Sequence, residues 1–449
     1  MSLGVHAAQA EEDDQPDKNG VPRNSIAHSL PENGDPGGAR ASLAKHGITY
    51  GWTFTGEIFG NASGGTRRRT IAEQRLDAHV KADLEKLIGA KGLSFYVSGT
   101  QTGGSGGLRR DAVPALATLS NIEALPAVRL FELYLEQKFA DDKASLRIGQ
   151  LAADSEFFVS DYSSVFFTSG WPAILGIDLP SGGPSWPLAT PGARLKVEPD
   201  KSWTMLLGLF NGDPAGPGAG DPQARDRSGL LFRLRDPPFL IGELQYKYKQ
   251  GADAKGLAGT LKVGAWHHFG TFSDQRFDVN GLSLANPAST GMPAQLRGDS
   301  GIYAIIDQQI YRPPGGDADK GVGVFGRISA SPSDRNLVDF YADGGIVFSG
   351  MIPSRPDDKF GATLLYSQIS GRASALDSDQ IAFSGVLRPV RDSELVMELS
   401  YEAQIVPGWT VQPDFEYVMH PGGNIPDPAM PTRAVRNAAI FGLRTTVKY

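Results

Sequence analysis

Apolar and polar side chains alternate with a period of two in short segments spread over most of the chain. The segment "YGWTFTGEIFG", residues 50–60, sets three apolar residues against three polar ones: Trp52, Phe54 and Ile58 against Thr53, Thr55 and Glu57. Because successive side chains of a β-strand point to opposite faces, this pattern predicts a strand with one apolar and one polar face.

Four more segments show the same alternation. They set the following apolar or aromatic residues against polar ones: Phe131, Leu133, Leu135 and Phe139 against Glu132, Tyr134, Glu136 and Lys138; Leu146 and Ile148 against Arg147; Leu244, Tyr246 and Tyr248 against Glu243, Gln245, Lys247 and Lys249; Phe441, Leu443, Val447 and Tyr449 against Arg444, Thr446 and Lys448. The polar faces are too charged for the core of a soluble sandwich, and the apolar faces are too regular for burial on both sides. Apolar-out and polar-in strands around a closed sheet are typical of a transmembrane barrel.

The segment "RLDAHVKADLEKL", residues 75–87, fits two periods. Four apolar residues share one helical face: Leu76, Val80, Leu84 and Leu87. The same segment also alternates, with a second face that carries five charged or titratable residues: Arg75, Asp77, His79, Lys81 and Asp83. We interpret it as a strand, because it is surrounded by period-two segments.

Clusters of Gly, Pro, Asp and Asn separate these segments. Three connections are short: residues 89–92, 140–143 and 199–202. Five are long: residues 101–125, 152–191, 270–299, 371–393 and 419–437. Short turns at one rim and long loops at the other are a feature of outer-membrane barrels, and ~25 residues per strand give about sixteen strands. The sequence thus predicts an all-β protein, a transmembrane antiparallel β-barrel of 16 strands with long extracellular loops.

Composition narrows the function classes. The 449 residues include 43 Lys+Arg and 50 Asp+Glu, a net charge of −7, which argues against a nucleic-acid partner. With no Cys and seven His, we find no metal-ligand cluster and predict no cofactor. No apolar stretch is long enough for a transmembrane helix.

The N-terminus carries a processing signal. Ala8-Gln9-Ala10 is an A-x-A-like cleavage site, so we interpret residues 1–10 as the remnant of a secretory signal peptide that starts upstream. Residues 11–47 are polar and rich in Pro and Gly, and predict a flexible periplasmic leader. Residues 48–449 form the predicted transmembrane barrel domain.

Three short motifs suggest chemistry but lack its structural context. "GGSGG" around Ser105 lies in a glycine-rich loop, not at a strand–turn–helix elbow. "GVGVFG" at residues 321–326 reads as a strand and opens no helix. His267 and His268 are adjacent, and would point to opposite faces of a strand. We predict no catalytic residues and no enzyme.

The candidate site is a set of charged residues on the inner faces of early strands: Glu57, Arg75, Asp77, Glu132, Glu136 and Arg147. Carboxylates and guanidinium groups bind hydroxyl pairs well, and both signs together suit a neutral polyol better than an ion. The alternative is that these charges only solvate a wet lumen.

Residues 154–195 form a long loop rich in aromatic residues, which predicts that it folds back onto the barrel wall and narrows the pore. Four aromatic residues are its candidates for stacking on a sugar: Phe157, Phe158, Trp171 and Trp186. For Phe157 and Phe158, packing against the wall is the favoured interpretation.

Several segments, taken in order, resemble the OprB family of carbohydrate-selective porins: "DLEKLIGAKGLSF", "SNIEALPAVRLFELYLEQKF", "LRIGQLAADSEFF", "GIYAIIDQQIYR", "SPSDRN", "GMIPSRPDDKFG", "PDFEYVMHPGGN" and "NAAIFGLRTTVKY". The resemblance implies a monomeric, sixteen-stranded barrel of a Gram-negative outer membrane that passes mono- or disaccharides by facilitated diffusion. It also implies a constriction of arginine and acidic side chains, a role carried to Arg75, Glu57, Glu132 and Glu136.

The sequence therefore predicts a porin for glucose-class sugars, with a carbohydrate substrate and with outer-membrane lipid and lipopolysaccharide as its surroundings. The alternatives are a general diffusion pore without a sugar site, an outer-membrane enzyme built on a barrel, and a soluble multi-strand binding protein.

Overall fold

The computed structural model describes residue 17 and residues 19–250 and 256–449. Within these residues, a single sheet of 16 antiparallel strands closes on itself, which confirms the predicted barrel. The proposed signal remnant, residues 1–10, lies outside the described residues. None of the helices in the described part of the chain is long and apolar enough to cross a membrane.

Each barrel strand pairs with the next along the chain, and β18 closes the barrel by pairing with β1. The strands are β1 Ile48–Gly65, β2 Thr70–Asp83, β3 Leu93–Gly104, β4 Ala127–Phe139, β5 Ala144–Leu151, β6 Thr190–Val197, β7 Trp203–Asn211, β8 Pro238–Tyr248, β9 Gly259–Asp278, β10 Pro293–Tyr311, β11 Gly321–Ala330, β12 Val338–Ser349, β13 Lys359–Ile369, β14 Ser393–Val406, β15 Trp409–Met419, β16 Pro426–Asp427, β17 Met430–Ala434 and β18 Arg436–Lys448. β16 and β17 form a separate hairpin.

Helices and 3-10 turns lie before β1 and in the connections between strands. The helices are α1 Ala39–Lys45, α2 Leu84–Ile88, α3 Leu108–Asp111, α4 Ala173–Gly176, α5 Pro222–Arg225, α6 Gly371–Ser384 and α7 Pro421–Asn424, with 3-10 turns at Ile26–Ser29, Pro31–Gly34, Ala153–Ser155, Tyr162–Val165 and Pro180–Gly182.

Closure matters because lipid offers no hydrogen bonds, so a spanning sheet can have no free edge. The outer faces are apolar, as the alternation predicted: Ile58 is 54% exposed and Leu443, its partner on β18, is 48% exposed. Glu57, the residue before Ile58 on β1, points inward and is 2% exposed.

The segment of residues 75–87 is a strand only in part. β2 ends at Asp83, whose side chain accepts hydrogen bonds from the N–H groups of Glu85 and Lys86 and so caps α2. Leu84 and Leu87 therefore belong to a one-turn helix, while Leu76 and Val80 face outward from the strand.

One predicted orientation is wrong. Phe131 does not share the outer face with Leu133 and Leu135, because a β-bulge places Phe131 and Glu132 together opposite Ser98 of β3. A bulge adds one residue and shifts the alternation on one side of it. Phe131 consequently faces the lumen.

The connections divide into two rims. Short ones, such as residues 140–143 and 407–408, lie at the rim that holds the C-terminus. The β9–β10 connection, residues 279–292, is shorter than predicted because both strands extend into the predicted loop, and the long β7–β8 connection, residues 212–237, was missed. Aromatic pairs gather at the short-turn rim, with Trp52 and Tyr449 stacked at 5.3 Å.

The segment of residues 19–47 packs against this rim, where the first and last strands meet. Arg40 is 1% exposed and lies between two rings, 5.0 Å from Tyr50 and 4.7 Å from Tyr449. Its Nε donates to the carbonyl of Gly20 at 2.8 Å and its Nη2 to that of Tyr50 at 2.9 Å. The hydroxyl of Tyr449 donates in turn to the carbonyl of Gly34.

We expect Arg40→Ala to lower the stability of the folded barrel by about 1–3 kcal/mol, since it removes a buried, charged hydrogen-bond donor at the closing seam. The measurement is the thermal unfolding midpoint in detergent, followed by β-sheet circular dichroism. Lys45→Ala, an exposed change on the same helix, is the control. Equal midpoints for the two variants would contradict the assignment.

Candidate functional site

Two long loops fold into the lumen and narrow it, as predicted for the second. The first, residues 105–126, connects β3 to β4, and the second, residues 152–189, connects β5 to β6. Their apolar side chains pack against the inner wall: Phe157 and Phe158 are 1% and 2% exposed, which confirms that both phenylalanines serve packing.

Carboxylates of the inner wall hold the backbone of these loops. Glu398 of β14 accepts hydrogen bonds from the N–H groups of Phe167 and Thr168 at 2.7 and 3.1 Å, and from the Thr168 hydroxyl. Glu394 of the same strand accepts from the N–H groups of Leu116 and Ala117 at 2.9 and 2.8 Å. One strand thus anchors both loops.

Two further strands, β8 and β10, anchor the second loop in the same way. Glu243 of β8 accepts from the N–H of Phe158 at 2.9 Å. Asp307 of β10 accepts from the Ser160 hydroxyl and from the N–H groups of Asp161 and Tyr162. Backbone N–H groups removed from water need acceptors, and a carboxylate oxygen is a strong one.

A cavity of about 1190 Å³ remains between the two loops and the wall. Arg75 borders it and has a fixed orientation: its Nε donates to Asp77 at 2.8 Å, and its guanidinium carbon lies 3.5 Å from the centre of the Trp186 ring. Phe131 also contacts that ring, edge to face, at 5.3 Å between centroids.

Asp154 completes this arrangement from within the second loop. Its carboxylate accepts from the backbone N–H of Trp186 at 2.8 Å and so fixes the segment that carries the ring. Burial raises the pKa of Asp154 to about 6, while the positive charge of Arg75 acts in the opposite direction.

Comparison with known proteins decides the family. A family model described as "Carbohydrate-selective porin, OprB family" matches residues 67–449. The chain belongs to the OprB family. It is 25% identical to Porin B of Pseudomonas aeruginosa over 434 residues, which is 92% of this chain and 89% of that protein.

Solved structures agree with this fold. The high-pH structure of Pseudomonas putida OprB matches with a TM-score of 0.80 and 21% identity, covering 92% of this chain and 97% of that one. The low-pH structure of the same protein matches with a TM-score of 0.55 and 16% identity, covering 93% and 97%. As an OprB-family barrel, the chain is a porin of the Gram-negative outer membrane.

Four of the eight predicted site residues line the cavity of this OprB-family barrel: Arg75, Asp77, Trp171 and Trp186. The other four lie in the wall and bind protein groups instead: Glu57, Glu132, Glu136 and Arg147. Glu57 pairs with Arg444 and accepts from the Ser120 hydroxyl at 2.7 Å.

The remaining three belong to the anchoring of the second loop. Glu132 accepts from the N–H of Ala152 at 3.2 Å, where that loop begins. Arg147 lies 3.3 Å from Glu136 and 3.4 Å from Glu156, so it joins the wall to the loop. These three residues are not part of the cavity lining; they help to hold the second loop, which narrows the lumen.

Sequence reasoning missed six basic residues that border the cavity: Arg109, Arg110, Arg327, Arg391, Arg444 and Lys448. Among the described residues that line it, seven are basic and four are acidic, so the cavity is basic within an acidic chain. Arg109 and Arg110 come from the first loop, whose inward course only the fold shows. The alternation placed Arg444 on an inner face. Its pairing with Glu57 could not be predicted, because the two residues are 387 positions apart in the chain.

The three short motifs discussed in the sequence analysis lie in loops or strands of the barrel. Ser105 lies in the first loop, and its hydroxyl accepts from the N–H of Ala72 at 2.9 Å. Residues 321–326 begin β11, as a strand. His268 is 2% exposed and bonds the Gly212 carbonyl, whereas His267 bonds Ser300 at an exposed position.

Removing a loop anchor tests this arrangement. We expect Glu398→Ala to raise single-channel ion conductance in planar bilayers, because Phe167 and Thr168 lose three hydrogen bonds and the loop can move away from its narrow position.

The matched control is Glu402→Ala, on the same strand and the same inner face, where the carboxylate pairs with Lys359 and no loop. Conductance that is unchanged in Glu398→Ala, or raised equally in both variants, would show that the wall carboxylate does not hold the constriction.

Proposed function

We propose that this porin mediates facilitated diffusion of neutral mono- and disaccharides of the glucose class, with Arg75 as the main contact at the constriction. The observation that carries the proposal is the fixed guanidinium, held by Asp77 at its Nε and by the Trp186 ring on one face. The contact with Asp77 uses Nε and not the two Nη groups, and Arg75 lines the cavity.

A guanidinium held in this way suits a sugar. Its N–H groups form a planar fork that can donate to two neighbouring hydroxyl oxygens, and its orientation is already set before the sugar arrives. Asp77 supplies acceptor oxygens beside the fork, so the pair offers both hydrogen-bond roles to a group of hydroxyls.

The two tryptophans then have different roles. One face of Trp186 is occupied by Arg75 and its ring also contacts Phe131, so it positions the guanidinium. Trp171 packs edge to face with Phe239, at 6.4 Å between centroids, and borders the cavity, so it remains the candidate for stacking on the apolar face of a sugar ring.

Selective passage requires binding that favours entry and still permits exit. Several charges at this cavity are already paired within the protein, such as Arg327 with Asp343 and Arg391 with Asp377, which limits how tightly a sugar is held. We propose a monomeric channel that catalyses no reaction, surrounded by outer-membrane lipid and lipopolysaccharide.

A general diffusion pore is the second candidate, favoured by the basic balance of the cavity, which would attract anions of any shape. It predicts linear flux of sugars without saturation.

We expect Arg75→Ala to raise the glucose concentration at half-maximal flux at least tenfold, because a charged hydrogen-bond donor to a ligand is worth about 1.5–3 kcal/mol. The measurement is glucose uptake into proteoliposomes over a range of concentrations. Glu132→Ala should alter flux less, since that carboxylate touches loop backbone and not the cavity.

Lys81→Ala is the control: it lies on the same strand and inner face as Arg75, outside the cavity lining. Half-saturation that is unchanged in Arg75→Ala would reject the assignment of Arg75, and linear flux in the unmodified protein would favour the general pore.

The site should also respond to pH through Asp154. Above its pKa of about 6 the carboxylate is charged and attracts Arg75; as the pH falls through 6 it is protonated and that attraction is lost. We expect weaker glucose saturation at pH 5 than at pH 7.5 in proteoliposome uptake.

Asp154→Asn should show the weaker saturation at both values. A variant that keeps the full pH dependence of the unmodified protein would assign that dependence to another group.

A further inference from the structure

Part of the β7–β8 connection, at residues 228–229, lies on the outer side of the barrel wall, whereas residues 221–223 of the same connection line the lumen cavity. The position and burial of Gln150 show where residues 228–229 lie relative to the wall. The register pairs Leu135 with Ile148 and Leu133 with Gln150, and since Leu135 and Ile148 are 46% and 57% exposed, Gln150 occupies an outward position. Yet Gln150 is only 2% exposed, so chain from elsewhere covers it on the lipid side.

Residues 228 and 229 provide that cover. Gln150 donates through Nε2 to the carbonyl of Gly229 at 2.9 Å, and the N–H of Leu130 donates to the carbonyl of Ser228 at 2.9 Å. On the side of the long loops, the pairing of β4 with β5 ends at Leu133, because β5 ends at Leu151 and the chain then turns into the lumen. Leu130 lies beyond that point and has no partner on β5. The connection therefore fills a gap in the upper wall.

A second set of contacts, made by two buried charged side chains, fixes the backbone of this segment. The Asp226 carboxyl is 4% exposed and lies against the backbone N–H groups of Gly229, Leu230 and Leu231. The Arg129 side chain, 2% exposed, reaches the same region and donates to the carbonyl of Gln223 at 3.3 Å. The backbone is thus fixed, while several side chains of the segment are exposed.

Those side chains form an apolar surface. Leu230 is 58% exposed, Leu231 45%, Phe232 43% and Leu234 81%. The surface continues the outer apolar face of the barrel, since the neighbouring wall presents Val128 and Ile148, at 73% and 57%. Exposed arginines, Arg227 and Arg235, lie at its two ends.

We propose that residues 227–235 bind lipopolysaccharide, with Leu230, Leu231, Phe232 and Leu234 against the acyl chains of its lipid A part and the two arginines on its phosphates. The connection lies at the rim opposite the chain termini and short turns, which is the side of the outer leaflet. Arginine combines a long apolar stem with a fork that matches phosphate, so it suits the boundary between acyl chains and headgroups. The inference depends on the outer-membrane location and not on sugar selectivity.

The first test asks whether the surface meets lipid. The chain has no cysteine, so Leu234→Cys gives a single site for a nitroxide spin label in the full-length protein. In vesicles of phosphatidylethanolamine and lipid A, we expect the label to be more accessible to oxygen than to a water-soluble nickel chelate. Leu207→Cys, 49% exposed on the outer face of β7, is the lipid reference, and Asn280→Cys in the β9–β10 connection is the water reference.

The second test asks which lipid binds. Lipid A is titrated into the vesicles while the thermal unfolding midpoint of the protein is followed. An arginine near an anionic membrane surface contributes about 1 kcal/mol, so Arg227→Gln with Arg235→Gln should raise the half-saturating lipid A content about 25-fold. Arg433→Gln with Arg436→Gln, exposed at the same rim, is the charge-matched control and should leave it unchanged.

Three results would overturn the proposal. One is a Leu234 label with the accessibility of the Asn280 reference. Another is equal stabilisation by phosphatidylglycerol at the same surface charge, which would indicate a general anionic contact. The third is a label shielded from both reagents together with a concentration-dependent dimer, which would assign the surface to a second copy of the chain. Glucose uptake of the Arg227/Arg235 variant should equal that of the unmodified protein, so failure here is separable from failure of the proposed function.

Discussion

The constriction of this channel depends on hydrogen bonds between wall carboxylates and the backbone of two inward loops. A chain segment that enters the lumen and packs its apolar side chains on the wall removes backbone N–H groups from water. Glu398, Glu394, Glu243 and Asp307 accept from those groups on three different strands of the barrel. The loops are therefore fixed at several points, and the width of the path follows from where the wall places its acids.

This requirement divides the charged residues of the lumen into two classes. Most are bound to protein groups and determine the shape of the path, as Glu57, Glu132 and Glu136 do. A smaller group, which includes Arg75 and Asp77, lines the cavity, and we propose that its hydrogen-bonding groups contact the sugar. A guanidinium held by an acid and an aromatic ring presents an ordered pair of donors without movement, which matches a ligand bound weakly and exchanged often.

The pattern of the chain predicted the barrel well, because a period of two is imposed directly by the strand and by the difference between lipid and water. The errors lie where a local feature interrupts that period. The bulge in β4 turned Phe131 inward, and the capping side chain of Asp83 converted the end of the ambiguous segment to a helix.

The site was harder to predict, because an inward acid looks the same in sequence whether it lines the path or anchors a loop. The distinction depends on partners far away in the chain: Glu398 is 231 positions from Phe167, and Glu394 is 278 from Leu116. The basic residues of the first loop were missed for the same reason. The prediction that the aromatic loop folds inward succeeded since its own composition carried the signal.

The most direct test of a sugar-selective aqueous path is the ion current through single channels while glucose is added. A sugar that occupies the constriction excludes ions, so the account predicts a current that falls along a saturating curve, with added noise from each binding and release. A current that falls only in proportion to the conductivity of the bulk solution would show that glucose does not bind in the channel, and would contradict the account.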